Sequence, residues 1–537
     1  MTQHTGEIPR IRPAELKALL QGDDELALLD AREELAFGQS HILYASCMPL
    51  SRLELLADAM VPRRTARVVW CDGGEGLAER AAERMSALGY RDVSVLAGGT
   101  EAWRGAGFEL FSGVNVPSKA FGEVVEVTRH TPSISAEELK AKLDAGEDLV
   151  VLDSRPMAEY HARNIPTGTC VPGAELAYRV HDIVTSDKTL VVVNCAGRTR
   201  SIIGAQSLIN AGIPNPVVAL RNGTMGWHLA GFELETGQSR RGPEPSAKGL
   251  AAAREVARRV AKRYGVRTID HAALATWREE QGERSLYVLD VRHPEEFVAG
   301  HLPGSHSAPG GQLVQETDHY VATLRARVVL VDDTGVRATM TAHWLNQMGW
   351  PEIAVLETAF EGQPLERGPE HREVLGLDSI DVGTIDATTL HALLGEGKAT
   401  VVDVGSSRAY KAGHVPGAWF AVRARLASSL AKIPDAGRTV FTSEDGVLAR
   451  LAAADALALG REASALEGGT QAWREAGFEL EAGATHLADD TDDIWLRPYE
   501  KDWGVEQAMQ DYLTWEVALV EQLERDGTAR FDTAPKA

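Results

Sequence analysis

The chain has 537 residues, too many for one hydrophobic core, and about 150 residues per domain implies three or four domains. Apolar residues make up 44% and charged residues 25%, which excludes a largely disordered chain, and a formal net charge of −22 argues against nucleic acid or an anionic membrane as partner. No apolar run approaches the roughly 18 residues of a membrane span, and the first residues carry no signal-peptide pattern. Four cysteines (Cys47, Cys71, Cys170, Cys195) are too few for a disulfide framework, so a cytoplasmic protein with reduced thiols is expected.

In chain order, the first recurring element is an apolar strand ending in Asp, Leu28-Leu-Asp30-Ala-Arg32. A turn at Ser40-His-Ile, an apolar strand at Val68-Val-Trp and a helix over Leu77–Leu88 follow, then Val95-Leu-Ala-Gly-Gly-Thr-Glu-Ala-Trp103. The series returns at Val151-Leu-Asp153-Ser-Arg155, Asn164-Ile-Pro, Leu190-Val-Val-Val and Ala219-Leu-Arg-Asn-Gly-Thr-Met-Gly-Trp227. It returns again at Val288-Leu-Asp290-Val-Arg292, Gly300-His-Leu-Pro-Gly304, Val328-Val-Leu-Val and Ala354-Val-Leu-Glu-Thr-Ala-Phe360, where the glycines and the Trp are lost. The last copy is Val401-Val-Asp403-Val-Gly405, Gly413-His-Val-Pro-Gly417, Thr439-Val-Phe and Ala465-Leu-Glu-Gly-Gly-Thr-Gln-Ala-Trp473, with a helix over Leu448–Leu459. This is a four-fold repeat.

Short Val/Leu-rich runs alternating with helices predict, in each copy, a mainly parallel sheet covered by helices on both faces: an α/β protein of four tandem domains. The expected boundaries are 8–113, 128–240, 264–370 and 380–482, with a helical linker at 241–263 and a helical tail at 483–537. The linker is expected to act as a hinge between two pairs of domains. In the tail, Trp495, Trp503 and Trp515 are expected to dock on a domain or a second subunit, and a homodimer is one expectation.

In an open parallel sheet, ligands sit where strand ends turn into helices. In copy two that loop is Asn194-Cys195-Ala196-Gly197-Arg198-Thr199-Arg200-Ser201, leading into a helix over Ile202–Asn210. A thiol there would be ringed by backbone N–H groups at a positive helix end, which favours thiolate. Arg198 and Arg200 would add positive charge for an anionic substrate.

With these residues in view, each copy resembles a rhodanese domain. The Asp-x-Arg strand end, the Gly-His-x-Pro-Gly turn, the Cys loop and the Gly-Gly-x-x-x-Trp segment carry the resemblance across roughly residues 8–482. It implies a sulfurtransferase in which Cys195 takes a sulfane sulfur from a donor such as thiosulfate, holds it as a persulfide, and passes it to cyanide or a thiol. Loop N–H groups would cradle that sulfur, helped by the Thr199 and Ser201 hydroxyls, and the interface of copies one and two would wall the cleft. No cofactor is implied, and the 16 histidines show no metal spacing. A Cys-based phosphatase is disfavoured, because Ser201 stands six positions after the Cys where that chemistry wants Arg. A relay module that hands its persulfide to a partner protein is the rival of another class, and a mercaptopyruvate-type donor is a third reading.

Alignment on the glycine seventeen residues downstream puts Asp72, Asp332 and Ser443 at the position of Cys195, so copies one, three and four are expected to be inactive. A one-residue loop insertion would instead restore Cys71. Asp153 and Arg155 read as a structural ion pair, with Arg155 lining the anion pocket as the alternative, and Arg221 could face the cleft. Cys47 and Cys170, each two residues before a proline, read as packing residues, with a second sulfur-receiving thiol as the alternative.

Overall fold

The structure is a computed structural model and describes residues 7–536. Copy two forms strands β1 (Ser133–Ile134), β2 (Leu149–Asp153), β3 (Thr169–Cys170), β4 (Leu190–Asn194) and β5 (Val217–Leu220). They lie in the order β1-β5-β4-β2-β3, with every neighbouring pair parallel. Central β4 buries Val191, Val192 and Val193 on both faces, the physical reason for its unbroken apolar run. Copies three and four repeat this order, and copy one repeats it with a sixth strand borrowed from copy three, Thr323–Leu324 antiparallel to Leu26–Asp30.

Strand register makes the copies superimposable residue by residue. The Asp that ends the second strand pairs with the last residue of the central strand in every copy: Asp30 with Cys71, Asp153 with Asn194, Asp290 with Val331, Asp403 with Thr442. Trp103, Trp227 and Trp473 are buried at matching places, and each indole N–H donates to the carbonyl six residues on, at 2.8–2.9 Å.

The copies pair differently from the expected division into first and last halves. Copy two packs on copy three: Arg337 bonds Glu175 at 2.9 Å and also Glu296, while Gly311 lies so close to Gly173 that a Cβ on it would sit 2.8 Å from the Gly173 nitrogen. Copy one packs on copy four, where Arg423 grips Glu54 with two hydrogen bonds of 2.7 and 2.9 Å and both copies share one apolar cluster. The linker is not a hinge. Its helix, Ala247–Tyr264, buries Ala253, Val256, Ala257, Val260 and Tyr264 against Leu208 of copy two and Met340 of copy three.

The tail runs across the other copies before ending in a 22-residue helix, Val505–Asp526. Its acidic run is anchored rather than free: Asp489 accepts the Val422 N–H and Asp493 the Ser407 N–H, both at 2.8 Å. Trp495 and Trp515 lie over Gly38 and Gly113 of copy one, where a Cβ would fall 2.3 and 2.4 Å from the rings. Trp503 does not dock and is 83% exposed. Among the described residues, no helix is long and apolar enough to cross a membrane.

Candidate active site

The Cys195 loop joins β4 to a helix that starts earlier than expected, at Thr199, and ends at Ala211. The loop carbonyls are tied down from one side. Cys195 O accepts the Thr224 N–H at 2.8 Å, Ala196 O accepts the Met225 N–H at 3.0 Å, and Asn194 O accepts both the N–H and the hydroxyl of Ser154. The approach of the next segment is so close that a Cβ at Gly223, whose φ is +54°, would lie 2.3 Å from the Cys195 carbonyl. Only glycine fits there, which accounts for the glycine of the Asn222-Gly223 turn. With its carbonyls held outward, the loop can turn amides inward, and Ser201 favours a thiolate at Cys195 while its hydroxyl donates to the Arg198 carbonyl at 2.7 Å.

The other copies show the same architecture with the thiol replaced. Thr100 N–H bonds Asp72 O, and Thr470 N–H bonds Ser443 O, as Thr224 bonds Cys195 O. Asp72 therefore occupies the Cys195 position, and Cys71 occupies that of Asn194, buried one residue earlier with its thiol directed at Asp30. Each replacement fills its own cradle. Asp72 accepts the N–H groups of Gly74 and Ala78, Asp332 those of Gly335 and Arg337, and Ser443 that of Ala449. Ala78, Ala449 and Ser201 stand six residues beyond the loop's first position, so the amide that meets the Cys195 sulfur meets an oxygen in copies one and four.

The electrostatics differ from the expected excess of positive charge around a thiolate. Cys195 is 2% exposed, and burial pushes its thiol up despite the opposing pull of Arg200 and Ser201. Arg198 is turned into carboxylates. It makes a bidentate pair with Glu123 at 2.8 and 2.8 Å and also binds Glu126 and Asn222. Arg200 pairs bidentately with Glu159, at 2.8 and 2.8 Å, and with Gln312 of copy three. Thr199 donates to Glu516 of the tail rather than toward the sulfur. A Cβ at Gly197 would lie 3.1 Å from a Glu516 oxygen and 3.3 Å from the Tyr512 ring.

Asp153 and Arg155 form a bidentate pair, 1% exposed, and Asp153 also accepts from Asn194 Nδ2 at 2.9 Å, so the pair supports the strand end below the loop. Arg155 is not among the residues that line the cavity at the loop, and Arg221 is exposed with its guanidinium at Ser133, away from the loop. Cys47 and Cys170 point at the carbonyls of Arg32 and Arg155. Glu175, His293 and Glu296 cluster between copies two and three, but Arg337 bridges the two carboxylates and supplies the positive charge there.

A cavity of about 180 Å³ meets the loop at Ala196 and Arg200. Copies one and two, the former through Glu34, do not wall it alone: Gln312 of copy three, Arg408 of copy four and the tail residues Arg497, Tyr499 and Tyr512 complete it, as does Lys119 on the connector helix Val116–Arg129. A larger cavity of about 560 Å³ between copies two and three includes Cys170 but not the Cys195 loop. The residues that sequence reading passed over are Lys119, Glu123 and Glu126 on one face of the connector helix, and Tyr512 and Glu516 one turn apart on the tail helix. Their helical spacing was visible, but what they face was not.

The rhodanese-like domain model matches four segments, residues 12–106, 135–230, 272–362 and 386–476. The chain belongs to the rhodanese-like family. Its fold also matches the crystal structure of a thiosulfate sulfurtransferase from Pseudomonas aeruginosa, with 52% identity, a TM-score of 0.95, and coverage of 98% of this chain and 100% of that one. A candidate sulfur carrier protein of Bacillus subtilis is 30% identical over 96 residues, 17% of this chain and 51% of that protein. An HTH-type transcriptional regulator of Mycobacterium tuberculosis is 36% identical over 105 residues, 20% of this chain and 45% of that protein. The chain thus spans about half the length of the curated relatives it matches.

Proposed function

We propose that this rhodanese-like chain is a thiosulfate sulfurtransferase whose working thiol is Cys195. The observation that carries this reading is that one of four equivalent loop positions bears a thiol, while the other three carry oxygen groups that occupy their own cradles. The Cys195 thiolate attacks the outer sulfur of thiosulfate. The S–S bond breaks, its electron pair leaves with sulfite, and the protein keeps a persulfide. Cyanide or a thiolate then attacks the terminal sulfur, and Cys195 departs as thiolate. Loop amides serve both steps by donating to negative charge on sulfur. Because burial holds the thiol up, the loading rate should climb with pH above neutrality as the thiolate fraction grows.

The test is to incubate purified, reduced protein with thiosulfate and, separately, with mercaptopyruvate, then to measure intact mass and map the modified peptide. The expected result is one added sulfur from thiosulfate on the Cys195 peptide, absent in Cys195→Ala. Loading by mercaptopyruvate alone would reassign the donor, and no loading by either would overturn the enzyme reading. The three copies without a thiol at the loop position favour a second reading, a relay that loads sulfur and releases it only to a partner protein. Slow release to cyanide and small thiols would select it; the enclosure of Cys195 favours small acceptors.

A further inference from the structure

The cavity above the Cys195 loop is lined by four cations, Arg200 from the loop, Lys119 from the connector helix, Arg497 from the tail and Arg408 from copy four, with the carboxylates of Glu34 and Glu316 also in its wall. Arg200 and Arg497 share one carboxylate, Glu159, at 2.8 and 3.5 Å. Lys119 is 5% exposed, and among the described residues no carboxylate lies within ion-pair distance of it. Its ammonium donates to the Val114 carbonyl at 2.6 Å and sits 5.3 and 5.2 Å from the ring centres of Tyr512 and Trp515. An ammonium has three donors, so two remain for a ligand. Glu516 attracts Lys119 through space, while one of its own oxygens is held by the hydroxyls of Thr199 and Tyr512.

A buried ammonium without a paired carboxylate is expensive to maintain. In a chain of net charge −22, a small cavity where Lys119, Arg200, Arg408 and Arg497 outnumber the carboxylates of Glu34, Glu316 and Glu159 is a local reversal of sign. Arg497, 46% exposed, stands at the mouth, and Arg200, 11% exposed, at the floor beside the thiol loop. We propose that Lys119 and Arg497, neither of them in the catalytic domain, form with Arg200 the seat for the sulfonate end of a dianionic sulfur donor. The outer sulfur then points at the loop, and the leaving sulfite departs past Arg497. The two residues are specificity determinants that favour a compact dianion over a carboxylate monoanion. This rests on the donor reading above and assigns its recognition to the connector and the tail.

The test uses the full chain in a Cys195→Ser background, where thiosulfate can bind but not react, with affinity read by titration calorimetry. Arg497→Gln and Lys119→Met should each weaken thiosulfate binding about tenfold, and Arg497→Lys should recover part of the loss. With Cys195 intact, Arg497→Gln should raise the KM for thiosulfate with little change in kcat, and should leave at the wild-type rate the displacement by which Cys195 opens an uncharged organic trisulfide, read by mass as the mixed disulfide on Cys195 with an organic persulfide leaving. Unchanged thiosulfate affinity in folded Arg497→Gln overturns the proposal, as does an equal loss with the trisulfide. If Lys119→Met does not fold, Arg497→Gln at the exposed mouth decides alone. Wild-type protein that opens the trisulfide but neither binds nor reacts with thiosulfate would overturn the donor reading itself, a result distinct from a wild type that binds thiosulfate as well as its variants do.

Discussion

Asp403 shows what the Asp-x-Arg pair contributes. In copies one to three the carboxylate is gripped by the Arg two residues on, at 2.6–2.9 Å through two guanidinium nitrogens. Copy four has Gly405 there, so Asp403 keeps only the Gly405 N–H at 2.8 Å, and burial pushes its carboxyl up to about 7. A carboxyl raised above its unfolded value stabilises the fold when protonated. That contribution is lost as pH rises from the unfolded value of about 3.9 toward about 7, at ~1.4 kcal/mol for each pH unit in between. Asp403→Asn should therefore match the wild type in melting temperature near pH 4 and exceed it at pH 8. A difference that does not grow with pH would refute this account. Cys195 is another residue whose state burial sets.

At the scale of elements, the loop depends on the segment that closes over it. Gly223 sits where a methyl would strike the Cys195 carbonyl, in a left-handed conformation that alanine resists. Gly223→Ala should abolish sulfur loading at Cys195 and lower stability by a few kcal/mol, measured by mass and by thermal melting. Normal loading in that variant would mean that the loop tolerates a shift the packing forbids. The connector helix works from the other side: Lys119, Glu123 and Glu126 are spaced so that one face meets the loop, and the two glutamates hold Arg198 away from the cavity. Repeat pattern and strand periodicity made the sheets, the buried tryptophans and the loop legible, because they are local and recur. The pairing of Arg198 with Glu123 was not legible, because the two are 75 residues apart and only the packing of one helix on another joins them.

The whole molecule places the one thiol-bearing loop under parts of every copy. Copies one and four form one pair, copies two and three another, and the tail ties them by laying Tyr512, Leu513 and Glu516 against the Cys195 loop. Deleting residues 485–537 should open this roof. Cys195 should then react with iodoacetamide at least about tenfold faster than in the full chain, while the KM for thiosulfate rises because Arg497 is gone. Equal alkylation rates would show that the tail does not shield the thiol. The three copies whose loop position lacks a thiol then serve as walls: copy three contributes Gln312 against Arg200, copy one Glu34 and copy four Arg408.

Sequence alone determined the four-fold repeat, the parallel α/β class, the Cys195 loop and the residues standing in its place elsewhere. These follow from hydrophobic periodicity, from turn chemistry and from spacing along the chain. Tertiary structure decided which copies pair, that the linker is a packed helix, that Arg198 is held by glutamates, and that the connector and tail roof the thiol. Those outcomes rest on which apolar faces and buried charges meet across hundreds of residues, where complementarity of whole surfaces governs and no local pattern records the choice.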